Sequence, residues 1–169
     1  MQATYKLHSL PFNSIATYMA AALFVIGNLV LPQLFHMVPD GGRIWLPIYF
    51  FTLVGAYKYG WRVGVLTALI SPIANSLFFG MPMAAALPAI MIKSLLLAVV
   101  AGYVAQRSLK ASLGMLALVV VAYQFVGTIG EWILKGDLFV ACQDFRLGIP
   151  GMLLQILGGW VVINYIIRK

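Results

Sequence analysis

Six runs of apolar residues follow one another along the chain, separated by short segments rich in glycine, proline and charged residues. The runs cover about 15–38, 44–57, 63–79, 84–105, 113–134 and 147–167. A helix needs roughly 20 apolar residues to cross the hydrocarbon core of a bilayer, and most of the runs approach that length. The pattern therefore predicts an all-α integral membrane bundle of six transmembrane helices, forming a single domain over residues 1–169.

The composition supports a lipid-facing surface. Of the 169 residues, 63% are hydrophobic and only 9% are charged, whereas a soluble domain carries about 25% charged residues. Six spans and their loops use nearly the whole chain, so we expect no soluble catalytic domain. The N-terminal segment has one lysine and no small-residue cleavage site, so the first span is expected to remain as a helix.

The sequence offers no case for catalysis. It contains no phosphate-binding P-loop, no H-E-x-x-H zinc motif and no G-x-S-x-G nucleophile elbow. His8, His36 and Cys142 are scattered, which gives no ligand spacing for a metal. We therefore expect no enzyme activity, no cofactor and no metal site.

The basic residues predict the orientation. With the N-terminus inside, the inner segments contain seven bases: Lys6, Lys58, Arg62, Arg107, Lys110, Arg168 and Lys169. The outer segments contain three: Arg43, Lys135 and Arg146. Because cytoplasmic loops carry the excess of lysine and arginine, both termini are predicted to be cytoplasmic. The net charge of +7 is thus explained by topology, and nucleic-acid binding is not expected.

Lys93 is the most informative residue because it interrupts the fourth span. A charge at mid-membrane is costly, by roughly 2.5–3.5 kcal/mol on insertion scales, and usually faces a cavity or a partner. Either Lys93 binds an anionic group on a ligand, or it pairs with Glu131 or extends toward the outer surface. The first two interpretations are compatible, since an ion pair that lines a site also orients a ligand.

Polar residues follow one face of the fifth span. Gln124, Thr128 and Glu131 are spaced i, i+4, i+7, which places them on the same side of a helix. Such a stripe either packs helices together or lines a cavity. The ionisable group at its outer end favours a cavity wall.

Weaker signals lie on the other spans. Asn75 follows Thr67 and Ser71 at four-residue spacing, which is more typical of helix packing but leaves Asn75 as a ligand contact near the outer end. Gln155 lies in a stripe of glycines on the sixth span, where close packing is the first interpretation. Ala16 and Ala20 form a pair of small residues near the inner end of the first span.

Several stretches resemble the substrate-binding (S) component of energy-coupling-factor (ECF) vitamin transporters. They are GRIWLP at 42–47, GVLTALISP at 64–72, GMP at 80–82, PAIMIK at 88–93 and GIPGMLLQ at 148–155. Their order, the six predicted spans and the chain length carry the resemblance over about residues 15–167.

The resemblance implies a protein of the bacterial or archaeal cytoplasmic membrane that binds a small nutrient from outside. The pocket would lie in the outer half, between helices four to six and the loops after helices one, three and five. Ala16 and Ala20 match the alanine pattern by which such proteins dock on a membrane coupling (T) subunit, driven by two cytoplasmic ATPases. Transport would then involve toppling of the whole S component.

We expect Lys93 and Glu131 to be the polar anchors of the ligand, with Trp132, Asn75 and Gln155 as further contacts. Trp45 and the Met81-Pro82 turn are expected to close over it. Relatives with the GMP pattern tend to carry glutamate where this chain has Lys93, so the substrate does not carry over. Unless Glu131 neutralises it, Lys93 favours a carboxylated ligand such as niacin, lipoate or pantothenate. The alternatives are a stand-alone facilitator or secondary transporter, and a membrane scaffold that binds no small molecule.

Overall fold

Long apolar helices dominate the computed structural model, which describes residues 9–167. Over this range the chain is helical with no strand. The helices long and apolar enough to cross a membrane are α1 (Ile15–His36), α4 (Trp61–Phe79), α5 (Leu87–Ser108), α6 (Leu113–Lys135) and Ile149–Ile166. The last comprises α9 (Ile149–Val161) and a π-helical turn, Val162–Ile166. Five such helices among the described residues indicate a multi-pass membrane protein.

The predicted second span is not a continuous helix. It is divided into α2 (Gly41–Trp45), a 3-10 turn (Pro47–Tyr49) and α3 (Phe50–Tyr59). Pro47 explains the break, because proline disfavours the α conformation in the preceding residue, and Leu46 has a left-handed φ of 46°. The ten residues of α3 rise about 15 Å, half the roughly 30 Å hydrocarbon core. The described chain therefore has five helices of spanning length, where the sequence pattern predicts six.

The broken segment 41–59 nevertheless runs beside α1 in the opposite direction. Along the two segments Phe35 pairs with Trp45 (rings 5.3 Å apart) and Asn28 with Phe51 (3.1 Å). Leu10, which precedes α1, donates to the Tyr59 carbonyl (3.1 Å). In α3 every residue from Thr52 to Lys58 is buried. This short helix is thus the centre of the core, and the long helices surround it.

The bundle has two ends, which we call the terminal end and the loop end. At the terminal end Tyr59 meets Leu10, Tyr57 donates to the Lys110 carbonyl (2.6 Å) and Asn164 to the Ala111 carbonyl (2.9 Å). The loop end contains the connections 37–46, 80–86 and 136–148. Two short helices lie in the last of these, α7 (Leu138–Ala141) and α8 (Gln143–Leu147).

The outward face of α1 is apolar and exposed. Its exposed residues recur every three or four positions: Ile15, Met19, Leu23, Ile26, Val30 and Leu34. An apolar face of that size would be unstable in water but is the expected surface toward lipid.

Candidate ligand-binding site

A buried lysine joins three separate elements at the loop end. Lys93, on α5, is only 2% exposed. Its Nζ donates to Glu131 Oε2 on α6 at 2.5 Å and to Asp144 Oδ2 on α8 at 2.7 Å. The sequence-based pairing of Lys93 with Glu131 is therefore present, and Asp144 is a second partner that the sequence did not indicate.

Glu131 also holds a second base. Its Oε1 accepts from Lys135 Nζ at 2.5 Å, one helical turn along α6. Lys93, Glu131, Lys135 and Asp144 together form what we call the charge cluster, with two bases and two acids. Removing one partner from a buried ion pair costs about 3–5 kcal/mol because the other charge is left uncompensated. The cluster is therefore stable only as a unit.

The backbone of α6 makes room for Lys93 at Gly127. A Cβ atom at this position would lie 2.6 Å from Lys93 Cγ, which is closer than van der Waals contact allows. The missing side chain lets the aliphatic part of Lys93 lie across α6, one turn below Glu131. The glycine thus places the ammonium group between the two carboxylates.

A cavity of about 650 Å³ opens beside the charge cluster at the loop end. All four cluster residues line it. The rest of its wall is largely apolar and includes Pro32, Leu46, Pro47, Met81, Pro82 and Ile90. These residues come from the end of α1, the broken segment, the 80–86 loop and α5, so the cavity lies where three inter-helix connections meet. A hollow of this volume matches the sites that hold small organic ligands, which span about 300–1,000 Å³.

Only some of the predicted contact residues line the cavity. Lys93, Glu131 and the Met81-Pro82 turn line the cavity. Asn75 also lines it, but its amide donates to the carbonyls of Asn28 (2.8 Å) and Ser71 (3.0 Å). The Asn75 side-chain oxygen in turn accepts from Gln33 Nε2 at 3.4 Å, so Asn75 has a packing role and offers a ligand little free hydrogen-bonding capacity.

Three other predicted contacts lie away from the cavity formed by the described residues. Trp132 is 45% exposed, and α6 turns it away from the face that carries Glu131. Gln155 is fully buried and accepts from the Tyr123 hydroxyl at 2.8 Å. Trp45 stacks on Phe35, and the residue after it, Leu46, borders the cavity instead. Periodicity could not place these side chains, because their orientation depends on helix rotation and on the break at Pro47.

The polar stripe of α6 reaches the cavity only at Glu131. Gln124 and Thr128 are buried, and neither the Gln124 amide nor the Thr128 hydroxyl has a hydrogen-bond partner among the described residues. The prediction of a cavity wall therefore holds for the outer member of the stripe, while the inner two lie in the helix interface.

The condition for a carboxylated ligand is not met. That expectation required Lys93 to be free of Glu131, and Lys93 is bound by both Glu131 and Asp144. Asp144 could not be predicted from the sequence, because an acidic residue in a polar loop segment is usually exposed and nothing in the pattern indicates that it is buried.

Ala16 and Ala20 lie at the terminal end, on the opposite side of the molecule from the cavity. They border an apolar groove of about 490 Å³ together with Met19, Leu23 and Tyr59. Ala16 is exposed and Ala20 is partly buried. The groove is therefore a shallow feature of the outer surface of α1.

Comparisons of the chain with protein-family models, with characterised proteins and with solved structures find no match. The function is accordingly argued from the cavity and the charge cluster.

Proposed function

We propose that this chain is the substrate-capture subunit of an ECF-type importer, which binds a small vitamin-like nutrient from outside the cell. The observation that carries the proposal is the cavity at the loop end with the charge cluster in its wall. Ionisable residues at membrane depth are expensive and face functional cavities by default. The location of the cavity, among the connections after the first, third and fifth predicted spans, is the one that the family resemblance implies.

The packing favours capture over a stand-alone facilitator. A facilitator needs a path from one side of the membrane to the other. Below the cavity, Leu53, Val54 and Tyr57 of α3 are fully buried, and α3 itself is enclosed by the long helices. Crossing this core would require a rearrangement of the whole bundle, which suits a subunit that is driven by partners.

In the proposed orientation, the broken segment 41–59 is the sixth segment that crosses the membrane. Segment 41–59 returns to the terminal end beside α1, so both termini are proposed to be cytoplasmic. In the sequence, seven bases belong to the segments on the terminal side and three to those on the loop side, although Lys6, Arg168 and Lys169 of the first group lie outside the described residues. The positive-inside rule then favours a loop end outside the cell. The membrane would be the cytoplasmic membrane of a bacterium or archaeon.

The proposed partners are a membrane coupling subunit and two cytoplasmic ATPases. The groove beside Ala16 and Ala20 supports a docking site on α1, because small residues let another helix approach closely. Ala16→Leu and Ala20→Leu should leave ligand binding unchanged and weaken co-purification with the coupling subunit. Normal co-purification of both variants would place the docking site elsewhere.

Purified protein in detergent and in liposomes tests the proposed function. Native mass spectrometry should show one small molecule bound to each chain, and liposomes containing this chain alone should not accumulate or equilibrate that molecule. Equilibration by the chain alone would indicate a facilitator. Absence of any bound small molecule would indicate a scaffold.

A further inference from the structure

The charges that line the cavity are balanced. Three acids and three bases contribute to its wall: Asp40, Glu131, Asp144, Arg43, Lys93 and Lys135. Arg43 lies 3.6 Å from Asp40, and the other four form the charge cluster. With the imidazole of His36, which also lines the cavity, taken as neutral, the site presents no net charge to a ligand although it is rich in charged groups.

An anionic ligand is disfavoured beside Lys93. The ammonium group already has Glu131 and Asp144 oxygens at 2.5 and 2.7 Å. A ligand carboxylate that approached the same nitrogen would meet both of these carboxylates, and like charges at such distances repel strongly in a poorly solvated site. It would have to displace one of them, which leaves a buried charge without its partner.

A cationic ligand finds no unpaired carboxylate in the charge cluster, and Asp40, the third acid of the wall, has its own counter-ion in Arg43 at 3.6 Å. Both oxygens of Glu131 are occupied, one by Lys93 and one by Lys135. Asp144 uses Oδ2 for Lys93, so that Oδ1 is its remaining acceptor toward the described residues. One acceptor oxygen on an already paired acid is a hydrogen-bonding position and does not amount to a counter-ion for a cation.

Free hydrogen-bonding capacity of both kinds remains at the cluster. Asp144 offers Oδ1 as an acceptor. Lys135 has three N–H donors, gives one to Glu131 and keeps its side chain 32% exposed. A group that pairs a donor with an adjacent acceptor, such as an amide, a ureide or a lactam, complements this arrangement, and the apolar wall suits an apolar or aromatic body.

We infer that the cavity selects a small molecule without net charge, which carries an amide-like donor and acceptor pair on an apolar body, and that it rejects the corresponding carboxylate. This inference rests on the proposed function and names its ligand class. It replaces the carboxylated ligand that an unpaired Lys93 would favour.

Capture from a defined mixture tests the ligand class. Purified protein is incubated with a small-molecule extract of bacterial cells, supplemented with equal concentrations of nicotinamide and nicotinate and of lipoamide and lipoate. The retained molecules are then identified by mass spectrometry. The wild-type chain should retain molecules that are uncharged overall at pH 7. Retention of a carboxylate or of a cation would overturn the inference while leaving the proposed function in place, whereas retention of nothing would contradict the proposed function itself.

Asp144→Asn is the informative variant because it removes one acid from beside Lys93. The ratio of retained anions to retained neutral molecules should rise by about tenfold, because a tenfold change in affinity corresponds to the free energy of about one charge-assisted hydrogen bond. Asp137→Asn is the matched control, since Asp137 caps α7 through the Phe139 and Val140 amides outside the cavity lining, and its ratio should not change. An unchanged ratio in Asp144→Asn would overturn the inference.

A second variant keeps the test valid if Asp144→Asn does not fold. Lys135→Met removes the N–H donors that the inference assigns to the acceptor of the ligand, so the retention of neutral molecules should fall about tenfold relative to Asp137→Asn. Unchanged retention of neutral molecules would contradict the assignment.

Discussion

At the scale of single residues, Lys93 holds two carboxylates that lie 38 and 51 positions away along the chain. Glu131 is recognisable from the sequence because it is an ionisable residue inside an apolar run. Asp144 is not, since it stands in a polar stretch where an acid needs no explanation. The sequence therefore predicted half of the pairing of Lys93, and with both carboxylates bound to it Lys93 no longer favours an anionic ligand.

Lys93→Met tests the cohesion of the charge cluster. Glu131 and Asp144 would face each other with only Lys135 to compensate them, so we expect the free energy of unfolding to fall by about 3–5 kcal/mol. A melt of the purified protein in detergent measures the change. The triple variant Lys93→Met, Glu131→Gln, Asp144→Asn removes all three buried charges and should recover most of the loss. A wild-type melting temperature for Lys93→Met alone would show that the cluster is not stabilising.

Gln124→Met tests whether the interior of the α6 stripe is dry. The Gln124 amide is buried without a partner among the described residues, so an apolar side chain of similar size should raise stability by about 1 kcal/mol. Tyr123→Phe is the matched contrast. It removes the hydroxyl bonded to Gln155 and should lower stability by a similar amount. A loss of stability in Gln124→Met would reveal a water molecule or ligand group bound to that amide.

At the scale of elements, the broken segment 41–59 lines part of the cavity. It is also the segment where the hydropathy-based prediction of a continuous transmembrane helix differs most from the structure. Four of the long apolar runs appear as continuous helices, and the sixth as α9 with its π-helical turn, close to their predicted positions. The second run is apolar enough to resemble a span. The direction of this segment is set by Pro47 and by the left-handed backbone of Leu46. Mean hydropathy over a window of residues cannot detect a change of direction at a single residue.

Gly151→Ala tests how α9 holds this segment. A Cβ at Gly151 would collide with the Trp45 carbonyl group and lie 2.9 Å from the Leu46 nitrogen. Because these are backbone atoms that cannot rotate away, the overpacking should cost about 1–3 kcal/mol and weaken ligand retention. Gly130→Ala is the control, since its nearest neighbour, Ile92 Cγ2, lies 3.5 Å away, and alanine there should be neutral or slightly stabilising. Equal stability of the two variants would contradict the described packing of α9.

At the scale of the whole molecule, the cavity and the apolar groove beside Ala16 and Ala20 lie at opposite ends of the bundle. This separation suits a protein that receives a ligand on one side and meets its partners on the other. The charge pattern predicted an orientation from the sequence, and the reversed path of segment 41–59 allows both termini to share one side. The volume and the lining of the cavity could not be predicted from the sequence, because they depend on how three connections pack together.

The single cysteine, Cys142, is a built-in reporter of this orientation. It lies in the 136–148 connection at the loop end and is partly exposed. A membrane-impermeant maleimide should label it in spheroplasts without permeabilisation. In a Cys142→Ser background, Gln106→Cys, exposed near the terminal end, should be labelled only after permeabilisation. The opposite pattern would invert the proposed topology.

Ligand capture by the wild-type chain and by the triple variant, compared by native mass spectrometry, tests the account most directly. The triple variant keeps the apolar wall of the cavity and lacks the three buried charges, so it separates binding from folding. We expect one small molecule on each wild-type chain and none on a folded triple variant. A wild-type chain that carries no small molecule, or a triple variant that retains the same molecule equally well, would contradict a nutrient site built on Lys93, Glu131 and Asp144.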